Sequence, residues 1–343
     1  MSEPTSVSVI VVNWNGGDAV LACLASVRAQ SRPPAEIIVV DNASRDDSAE
    51  RIATDYPEVK LLRLPQNTGF GGGVNRGAAV ATGEWLALLN NDAMADPEWL
   101  ERLLEAAVSS PGVGMVACKI YLDREERVLD KVGHRITLDG QNFGRGHRSL
   151  DRGQYDALTE VAWPDGCAGL WRRDVFLQVG GLDEEFFAYA DDADLGIRFR
   201  LAGCRCAVAP RAVVEHRHSQ SLGAYSARKL FLVERNRIWL TTIYFPWCLV
   251  FLNPLLWLWR ALLTLGAARG GDGPWSQVET GSRFEVLRAI LAAQVAGWLG
   301  APRQLRKRAL LRQTCGPEWP RRRDALLREA RVGVVAFARG EID

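Results

Sequence analysis

Residues 85–92 read WLALLNND, and this stretch decides the fold class. Trp85 to Leu89 form an apolar run of the length expected for a strand buried on both faces. The run ends abruptly in three polar residues, Asn90, Asn91 and Asp92. This pattern is typical of an open parallel sheet, in which ligands bind beyond the carboxyl ends of the strands.

Similar apolar runs occur earlier in the chain, and predicted helices alternate with them. These predicted strands are Val7 to Asn13, Glu36 to Asp41 and Val59 to Leu64. The alternation indicates an α/β fold with a doubly wound, mostly parallel, Rossmann-like sheet. Because Asn13 and Asp41 end two of these strands, we expect them to meet the Asn90–Asp92 segment at one edge of the sheet.

Helical spacing of apolar residues predicts further elements. The predicted helices cover residues 18–30, 48–56, 72–82, 97–108, 173–179 and 192–202. Asp96 is the expected N-cap of the fourth helix, because Pro97 after it suits the first helical position. Residues 113–165 are interpreted as strands and loops, and residues 205–215 as a strand.

The sequence changes character after Arg237. Residues 238–259 contain no charged side chain and seven aromatic ones. A bilayer span needs about 20 residues, but Pro246 and Pro254 interrupt the run. This favours two broken apolar helices that lie in a membrane interface. A buried helical hairpin packed on the preceding domain is the alternative.

A second apolar helix, residues 284–299, leads into a basic tail. Residues 303–331 contain ten Arg or Lys and three acidic residues. An apolar face beside a basic face predicts binding to an anionic membrane surface, with a solvated helical face as the alternative.

Composition sets the remaining limits. A chain of 343 residues predicts about two structural units. The formal net charge of +1 indicates no nucleic-acid partner. The seven scattered cysteines complete no zinc site and are interpreted as reduced thiols. The amino terminus, MSEPTSVSVI, lacks the pattern of a signal peptide, so we expect a cytoplasmic protein.

Two segments have the chemistry of a nucleotide site. Asp41, within VVDNASRDDS, can accept hydrogen bonds from a pyrimidine N–H or a ribose hydroxyl, although a turn or N-cap role is the alternative. Residues 67–77 read NTGFGGGVNRG. Their glycines allow the backbone to approach a ligand, the following helix points N–H groups at a diphosphate, and Arg76 adds charge.

Two further segments predict a divalent cation and a general base. Asp92 suits Mg²⁺ or Mn²⁺, and His216 and His218 follow a predicted strand as candidate ligands. A polar turn is the alternative for Asp92. Residues 189–200 read YADDADLGIRFR. Three neighbouring carboxylates repel one another, so one should have a raised pKa suited to a general base. Helix capping is the alternative, and it explains one Asp well and three poorly.

In this order the segments resemble glycosyltransferase family two, with its A-type fold, and most of all its bacterial rhamnosyltransferase-like branch. The matching segments are SVIVVNWN (8–15), VVDNASRD (39–46), NTGFGGGVNRG (67–77), LLNNDA (88–93), GLWRRDVFLQVGGLDEEFFAYADDADLGIRFRLAG (169–203) and the histidine segment after Val213. The resemblance implies an inverting, metal-dependent transferase that moves a hexosyl or deoxyhexosyl group, such as rhamnose, from a nucleoside-diphosphate sugar. The implied acceptor is a hydroxyl of a glycan or lipid-linked saccharide in cell-surface polysaccharide synthesis.

The resemblance also implies residue roles. Asp192 is the catalytic base and Asp191 stands in the position of the family's Glu, with exchanged roles as the alternative. The family's Asp-x-Asp motif reads Asn90-Asn91-Asp92, which leaves Asp92 as the metal ligand, and His216 completes the site. The implied donor-binding residues are Asn13, Asn15, Asp41, Asn42, Asn67, Gly69, Phe70, Asn75, Arg76, Asn90 and Asn91. The implied acceptor-binding residues are Gly166, Cys167, Ala168, Gly169 and Trp171.

The expected catalytic domain covers residues 1–237, with a nucleotide-sugar half over about 1–110 and an acceptor half over about 111–237. The helical region 238–343 is expected to place the protein on, or partly in, the inner face of the cell membrane. Two other functions are considered. One is a catalytically inactive partner of a membrane glycosyltransferase. The other is a sugar nucleotidyltransferase, which the absence of a basic residue in NWNGGD (13–18) disfavours.

Overall fold

The computed structural model describes residues 5–109, 111–216, 226–268 and 283–333. The chain forms two compact units. Of the described residues, those within 1–134 and 144–221 form the first unit, and those within 135–143 and 222–343 form the second. The division precedes Arg237, because the helix that contains Arg237 packs against the later helices of the second unit.

The amino-terminal half of the first unit is a parallel sheet with crossover helices. Its strands are β1 (Val7–Asn13), β2 (Glu36–Asp41), β3 (Lys60–Arg63) and β4 (Trp85–Leu89). Its helices are α1 (Gly17–Arg28), α2 (Ser48–Asp55) and α3 (Gly69–Val80). The order is β4-β1-β2-β3, and Asn13 pairs with Asp41 in register. The predicted strands and helices of this half are confirmed.

The rest of the first unit extends the same sheet. Its elements are β5 (Ala93–Ala95), α4 (Trp99–Val108), β6 (Val113–Asp123), β7 (Val128–Lys131), β10 (Glu160–Val161), β11 (Ala168–Arg172), α5 (Arg173–Gln178), α6 (Asp191–Leu201) and β12 (Arg205–His216). Strands β8 (His134–Thr137) and β9 (Asn142–Gly144) follow β7 in the chain and belong to a separate, smaller sheet. The full order is β10-β12-β6-β11-β4-β1-β2-β3. Strand β11 runs antiparallel to β4 and β6, while β12 runs parallel to β6. The sheet is therefore mixed, with parallel strands on both sides of β11.

The helix after β5 begins later than the sequence predicted. Helix α4 starts at Trp99, and Glu98 is its N-cap. The carbonyl of Asp96 accepts a hydrogen bond from the Trp99 N–H, but its carboxylate pairs with Arg124. Because the Asp96 carboxylate forms this ion pair, it does not cap the helix as predicted.

The core lies between the sheet and its helices. Val9, Val11 and Val39 from the central strands are buried, as are Leu24 of α1 and Trp99 of α4. Burial of such a side chain contributes about 1.5–3 kcal/mol. This packing holds the carboxyl ends of β1, β2 and β4 at a common edge.

The second unit is mainly helical. It contains α7 (Ala227–Tyr244), α8 (Trp247–Ala268), α9 (Arg283–Cys315), α10 (Trp319–Ala330) and the short strand β13 (Arg331–Val332), which pairs with β8 in a β13-β8-β9 sheet. The predicted interruption at Pro246 is confirmed, because it separates α7 from α8. The one predicted at Pro254 is wrong, because α8 continues through it. A proline removes one N–H donor but does not always end a helix.

A buried ionic network joins α7, α8 and the β8–β9 turn. Arg260 of α8 donates to Asp139 (2.8 Å) and to Glu234 (2.8 Å). Arg237 of α7 donates to Glu234 (3.1 Å) and to Asn253 of α8 (2.9 Å). The network orients α8, since its polar residues face α7.

The opposite faces of α8 and α9 are apolar and exposed. On α8 the exposed side chains include Phe251, Leu255, Leu258 and Leu262. On α9 they are Phe284, Leu287, Leu291, Val295, Leu299 and Leu310. Among the described residues, one helical run, Phe284–Ala330, is long and apolar enough to cross a membrane by length and composition. Its apolar window has a mean hydropathy of 1.3 and is 17% buried.

Candidate active site

The ends of β1, β2 and β4 meet as the sequence predicted. The Asn13 amide donates to Asp41 (3.0 Å) and Ser48 (2.8 Å), and its oxygen accepts from Asn91 (3.3 Å). Asn13 is completely buried and Asp41 is nearly so. Asn13 therefore ties the three strand ends together and orients Asp41.

Three other predicted donor ligands bind the backbone around this edge. Asn42 accepts from the Thr68 N–H (2.8 Å) and donates to the Gly69 carbonyl (2.9 Å). Asn67 accepts from the Gly69 N–H (2.8 Å), and Asn15 accepts from the Arg45 N–H (2.7 Å). These side chains shape the turns at this edge of the sheet.

The glycine-rich segment packs against protein in a way that the sequence did not predict. Gly69 has φ +79°, and a Cβ there would lie 2.4 Å from the Phe187 carbonyl oxygen. A Cβ at Gly73 would lie 2.7 Å from Val12. The sequence predicts that these glycines let a ligand approach the backbone. In the structure Gly69 instead lies against the loop before α6, and Gly73 lies against strand β1.

Asn75 and Arg76 also differ from their predicted role. The Asn75 side chain donates to the Leu182 carbonyl (2.8 Å) and accepts from the Leu182 N–H (2.9 Å). Arg76 forms an ion pair with Glu184 (2.6 Å) on the surface. Both residues therefore hold the loop before α6. Their polar groups bind Leu182 and Glu184 and not, as the sequence predicts, a nucleotide sugar.

The predicted metal ligands Asp92 and His216 are adjacent. His216 Nε2 lies 3.2 Å from an Asp92 oxygen, and His216 Nδ1 lies 3.3 Å from Asp130. Burial opposes protonation of His216, but Cys167, Asp130 and Asp92 together raise its pKa well above the usual value. A carboxylate that orients the second ring nitrogen is common behind metal-binding histidines, so these residues fit a divalent cation. His218 lies outside the described residues.

A continuous series of buried ionic contacts leads from Asp92 to the predicted base; we call it the buried charge chain. Its members are Asp92, His216, Asp130, Lys131, Asp165, His134 and Asp192. Lys131 Nζ lies 3.3 Å from Asp130 and 2.9 Å from Asp165. His134 Nε2 lies 2.6 Å from Asp165 and 3.3 Å from Asp192. Strand β7, strand β8 and the loop before β11 supply its centre.

Asp191 and Asp192 open helix α6 but have different surroundings. Asp192 accepts a hydrogen bond from the Gly166 N–H (3.3 Å) and faces His134. One oxygen of Asp191 is buried without a hydrogen-bond partner among the described residues. Burial and the charge of Asp192 raise the pKa of Asp191. Burial raises the pKa of Asp192 as well, but His134 and Lys131 act against that rise and favour its charged form. The geometry favours Asp192 as the ionised base. Later in α6, Asp194 pairs with Arg198 (2.6 Å).

The predicted acceptor segment is mostly part of the sheet. Gly166 lies between Phe70 and Asp192, because a Cβ there would be 3.1 Å from the Phe70 ring and 3.5 Å from the Asp192 Cβ. Cys167, Ala168 and Gly169 are buried.

Trp171 lies in the core and not in a pocket. Its side chain is fully buried, and its ring packs edge-to-face on Phe199 with centroids 5.2 Å apart. It pairs with Leu86 of β4 in the middle of the sheet. Because its side chain is fully buried in the core, Trp171 cannot contact an acceptor, and the predicted acceptor role of this residue is wrong.

Five residues of this region were missed by the sequence reasoning. They are Asp130, Lys131, His134, Asp165 and Tyr189. Burial and the charge of Asp191 raise the pKa of Tyr189 to about 12, and Asp92 and His216 act on it as well. A usable signal was present, since VLDK (128–131) places two opposite charges at the end of a short apolar strand.

The chain is similar to known proteins in sequence. Residues 8–178 match the family model of glycosyl transferase family 2. The chain is 28% identical over 288 residues to the N-acetylglucosaminyl-diphospho-decaprenol L-rhamnosyltransferase of Mycobacterium tuberculosis, across 75% of this chain and 90% of that protein. It is 28% identical over 238 residues to the pre-mycofactocin glycosyltransferase of the same species, across 66% of this chain and 45% of that protein.

A solved structure shares the fold. The crystal structure of GalNAc-T7 with UDP, GalNAc and Mn²⁺ superposes with a TM-score of 0.56 at 14% identity. The superposition covers 71% of this chain and 49% of that chain.

Proposed function

This chain belongs to glycosyl transferase family 2 and is a glycosyltransferase, and we propose that it is an inverting enzyme that depends on a divalent cation. The proposed donor is a nucleoside-diphosphate sugar, with rhamnose as the transferred group. The proposed acceptor is a hydroxyl of a glycan or a lipid-linked saccharide in cell-surface polysaccharide synthesis. The Mycobacterium tuberculosis relative, named as a rhamnosyltransferase that acts on a decaprenol-linked N-acetylglucosamine, supports this choice.

One observation carries the proposal: the buried charge chain places a carboxylate–imidazole pair at one end and the Asp192 carboxylate at the other. Asp92 and His216 would hold Mg²⁺ or Mn²⁺, which neutralises the charge of a diphosphate leaving group when bound. Asp41, oriented by Asn13, would bind the nucleoside. Phe70 and Gly166 would border the reacting sugar beside Asp192.

The proposed reaction is a single in-line displacement. The acceptor oxygen forms a bond to the anomeric carbon as the bond from that carbon to the diphosphate oxygen breaks. Asp192 takes the acceptor proton, and configuration at the anomeric carbon inverts. Removal of a general base typically lowers the rate by about 10²- to 10⁴-fold.

Two rival functions predict different outcomes in binding and turnover assays. An inactive partner subunit would bind donor without turnover. A sugar nucleotidyltransferase would make the nucleotide sugar, but family membership and the absence of a basic residue after β1 give it no support.

The proposal is tested first by a thermal-shift screen against nucleoside diphosphates and nucleotide sugars, with and without Mn²⁺ or Mg²⁺. A ligand that binds only the folded state raises the unfolding midpoint by mass action. We expect a cation-dependent shift with one pyrimidine nucleotide that is lost in Asp92→Ala and kept in Asp192→Asn.

Turnover of that donor is then measured, as transfer or as hydrolysis. We expect Asp192→Asn to reduce it by at least about 10². Donor binding without turnover in the wild type would favour the function of an inactive partner subunit. Full activity of Asp192→Asn would show that another residue is the general base.

The second unit would bind a membrane surface at the inner face of the cell membrane. Its exposed apolar side chains on α8 and α9 support this part of the proposal, together with exposed Arg303 and Arg306 on α9. Apolar and basic side chains on one helical surface suit anionic lipid. The buried Asn253 and the largely buried Arg260 favour an α8 that lies along a membrane over one that crosses it alone.

A further inference from the structure

His134 occupies an unusual position between two carboxylates. Its Nε2 lies 2.6 Å from Asp165 and 3.3 Å from Asp192, and its side chain is only 6% exposed. Its Nδ1 is buried without a hydrogen-bond partner among the described residues. The backbone is also fixed, because the His134 N–H donates to the Trp163 carbonyl (3.1 Å). A single ring nitrogen therefore makes both contacts.

The group has the composition of a cation site, but its neighbours argue against one. Ligand atoms of His134, Asp165 and Asp192 lie within 4.8 Å of one another. The Lys131 ammonium lies 2.9 Å from the same Asp165 oxygen that faces His134. Asp130 and Asp165 hold the pKa of Lys131 well above its usual value against the effect of burial. A fixed ammonium already supplies the positive charge that a metal would bring.

The two acidic partners of His134 have different roles in this geometry. Asp165 is anchored by Lys131, and it accepts a hydrogen bond from the Cys167 N–H (2.6 Å). Asp192 accepts hydrogen bonds from the Ala193 N–H (2.7 Å) and the Gly166 N–H (3.3 Å), and the oxygen that faces His134 is the one with the longer bond. Asp165 is therefore the fixed partner that holds the imidazole, and Asp192 is the group that the imidazole acts on.

We propose that His134, held by Asp165, is a positioning residue that aims the Asp192 carboxylate at the acceptor and keeps it ionised. The inference rests on the proposed role of Asp192 as the base. An imidazolium beside a buried carboxylate stabilises its charged form, and a base must be charged before it can take a proton. The charges that face Asp192 are His134 of β8, Lys131 of β7, Asp165 before β11 and Asp191 of α6.

The kinetic test compares the wild type with His134→Gln. Loss of the cationic neighbour should lower kcat by about tenfold or more, leave the donor KM within about twofold, and move the acidic limb of the kcat–pH profile to higher pH. Tyr56→Phe is a control, because it removes a partly buried hydrogen bond to the Leu21 carbonyl (2.9 Å) elsewhere in the first unit. It should change none of the three quantities. An unchanged kcat, or a lower kcat with an unmoved limb, would overturn the inference.

A second measurement needs no turnover and separates this inference from the proposed function. Urea midpoints are measured for His134→Gln, Asp192→Asn and the double variant. Direct contact predicts non-additive shifts, in which the double variant loses less than the two single variants together. Additive shifts would refute the pairing even in an active enzyme. Non-additive shifts in a protein without turnover would keep the pairing and reject the proposed function.

Discussion

At the scale of single residues, the two acids that open α6 show how burial and neighbours separate chemically identical groups. Asp192 faces His134, whereas one oxygen of Asp191 has no partner among the described residues. The sequence left the choice of base open, with Asp192 preferred. The surroundings support that preference, because burial and the charge of Asp192 raise the pKa of Asp191, whereas the His134 side chain lies beside Asp192 and favours its charged form.

Asp191 also predicts a dependence of stability on pH. Its pKa is raised in the folded state, so the folded protein holds a proton that the unfolded chain releases above about pH 4. Its contribution to stability therefore falls as pH rises from the unfolded pKa towards the raised folded value. Asp191→Asn should thus stabilise the protein at about pH 9 by about 1 kcal/mol or more, and change little at about pH 4.

This prediction is measured by urea unfolding at the two pH values with a chelator present. Asp174→Asn is the matched control, since Asp174 is exposed on α5 and pairs with Arg172 (2.9 Å). A stabilisation by Asp191→Asn that is equal at both pH values would show that its carboxyl titrates normally.

At the scale of elements, the start of α3 and the loop before α6 depend on each other. Phe187, Tyr189 and Ala190 all have positive φ values (68°, 66° and 63°), which side-chain-bearing residues rarely adopt. The loop is held by the Phe70 N–H, which donates to the Phe187 carbonyl (2.8 Å). Gly69 makes this approach possible. Strain of this kind persists only where surrounding contacts determine it, and here it lies directly before the proposed base.

Gly69→Ala should therefore be more damaging than its backbone angle alone implies. Gly112 has almost the same φ (+78°, against +79°) but open space around its Cβ position, so Gly112→Ala measures the conformational penalty by itself. We expect Gly112→Ala to destabilise the protein by about 1 kcal/mol, and Gly69→Ala by about 1–3 kcal/mol more. Chemical denaturation measures both. Equal losses would mean that the loop moves away without cost.

At the scale of the whole molecule, the apolar sequence after Arg237 serves two purposes. Residues 238–244 of α7 are buried, and Arg237 and Glu234 beside them join the ionic network of the second unit. On α8 the aromatic and aliphatic residues are mostly exposed. Helix α7 is therefore buried within the second unit, and the membrane-surface prediction concerns the exposed faces of α8 and α9.

The membrane prediction is tested by vesicle co-sedimentation of the full chain. We expect binding to vesicles that contain phosphatidylglycerol and weaker binding to phosphatidylcholine alone. The double variant Phe251→Asp, Leu255→Asp should lose at least about tenfold in affinity, because each buried side chain contributes about 1.5–3 kcal/mol. Val108→Asp is the control, since Val108 is 66% exposed in the first unit. Unchanged binding by the double variant would exclude this face as the lipid contact, and a change in its oligomeric state would assign the face to a second copy.

The sequence by itself determined the elements and the edge where they meet. Strand and helix patterns report the local alternation of buried and exposed positions, and the polar residues that end β1, β2 and β4 share an edge because parallel strands align their ends. Asn13, Asp41 and Asn91 could therefore be predicted together, as could the family and its fold.

Only the tertiary structure decided which distant side chains touch. His134, Asp165 and Asp192 come from separate strands, loops and helices, and no periodic pattern relates them. The same holds for Trp171, whose burial against Phe199 follows from the position of α6 on the sheet, and for Gly69, whose neighbour is Phe187. The physical reason is that local periodicity encodes which face of an element is buried, whereas the partner on that face depends on how the whole chain packs.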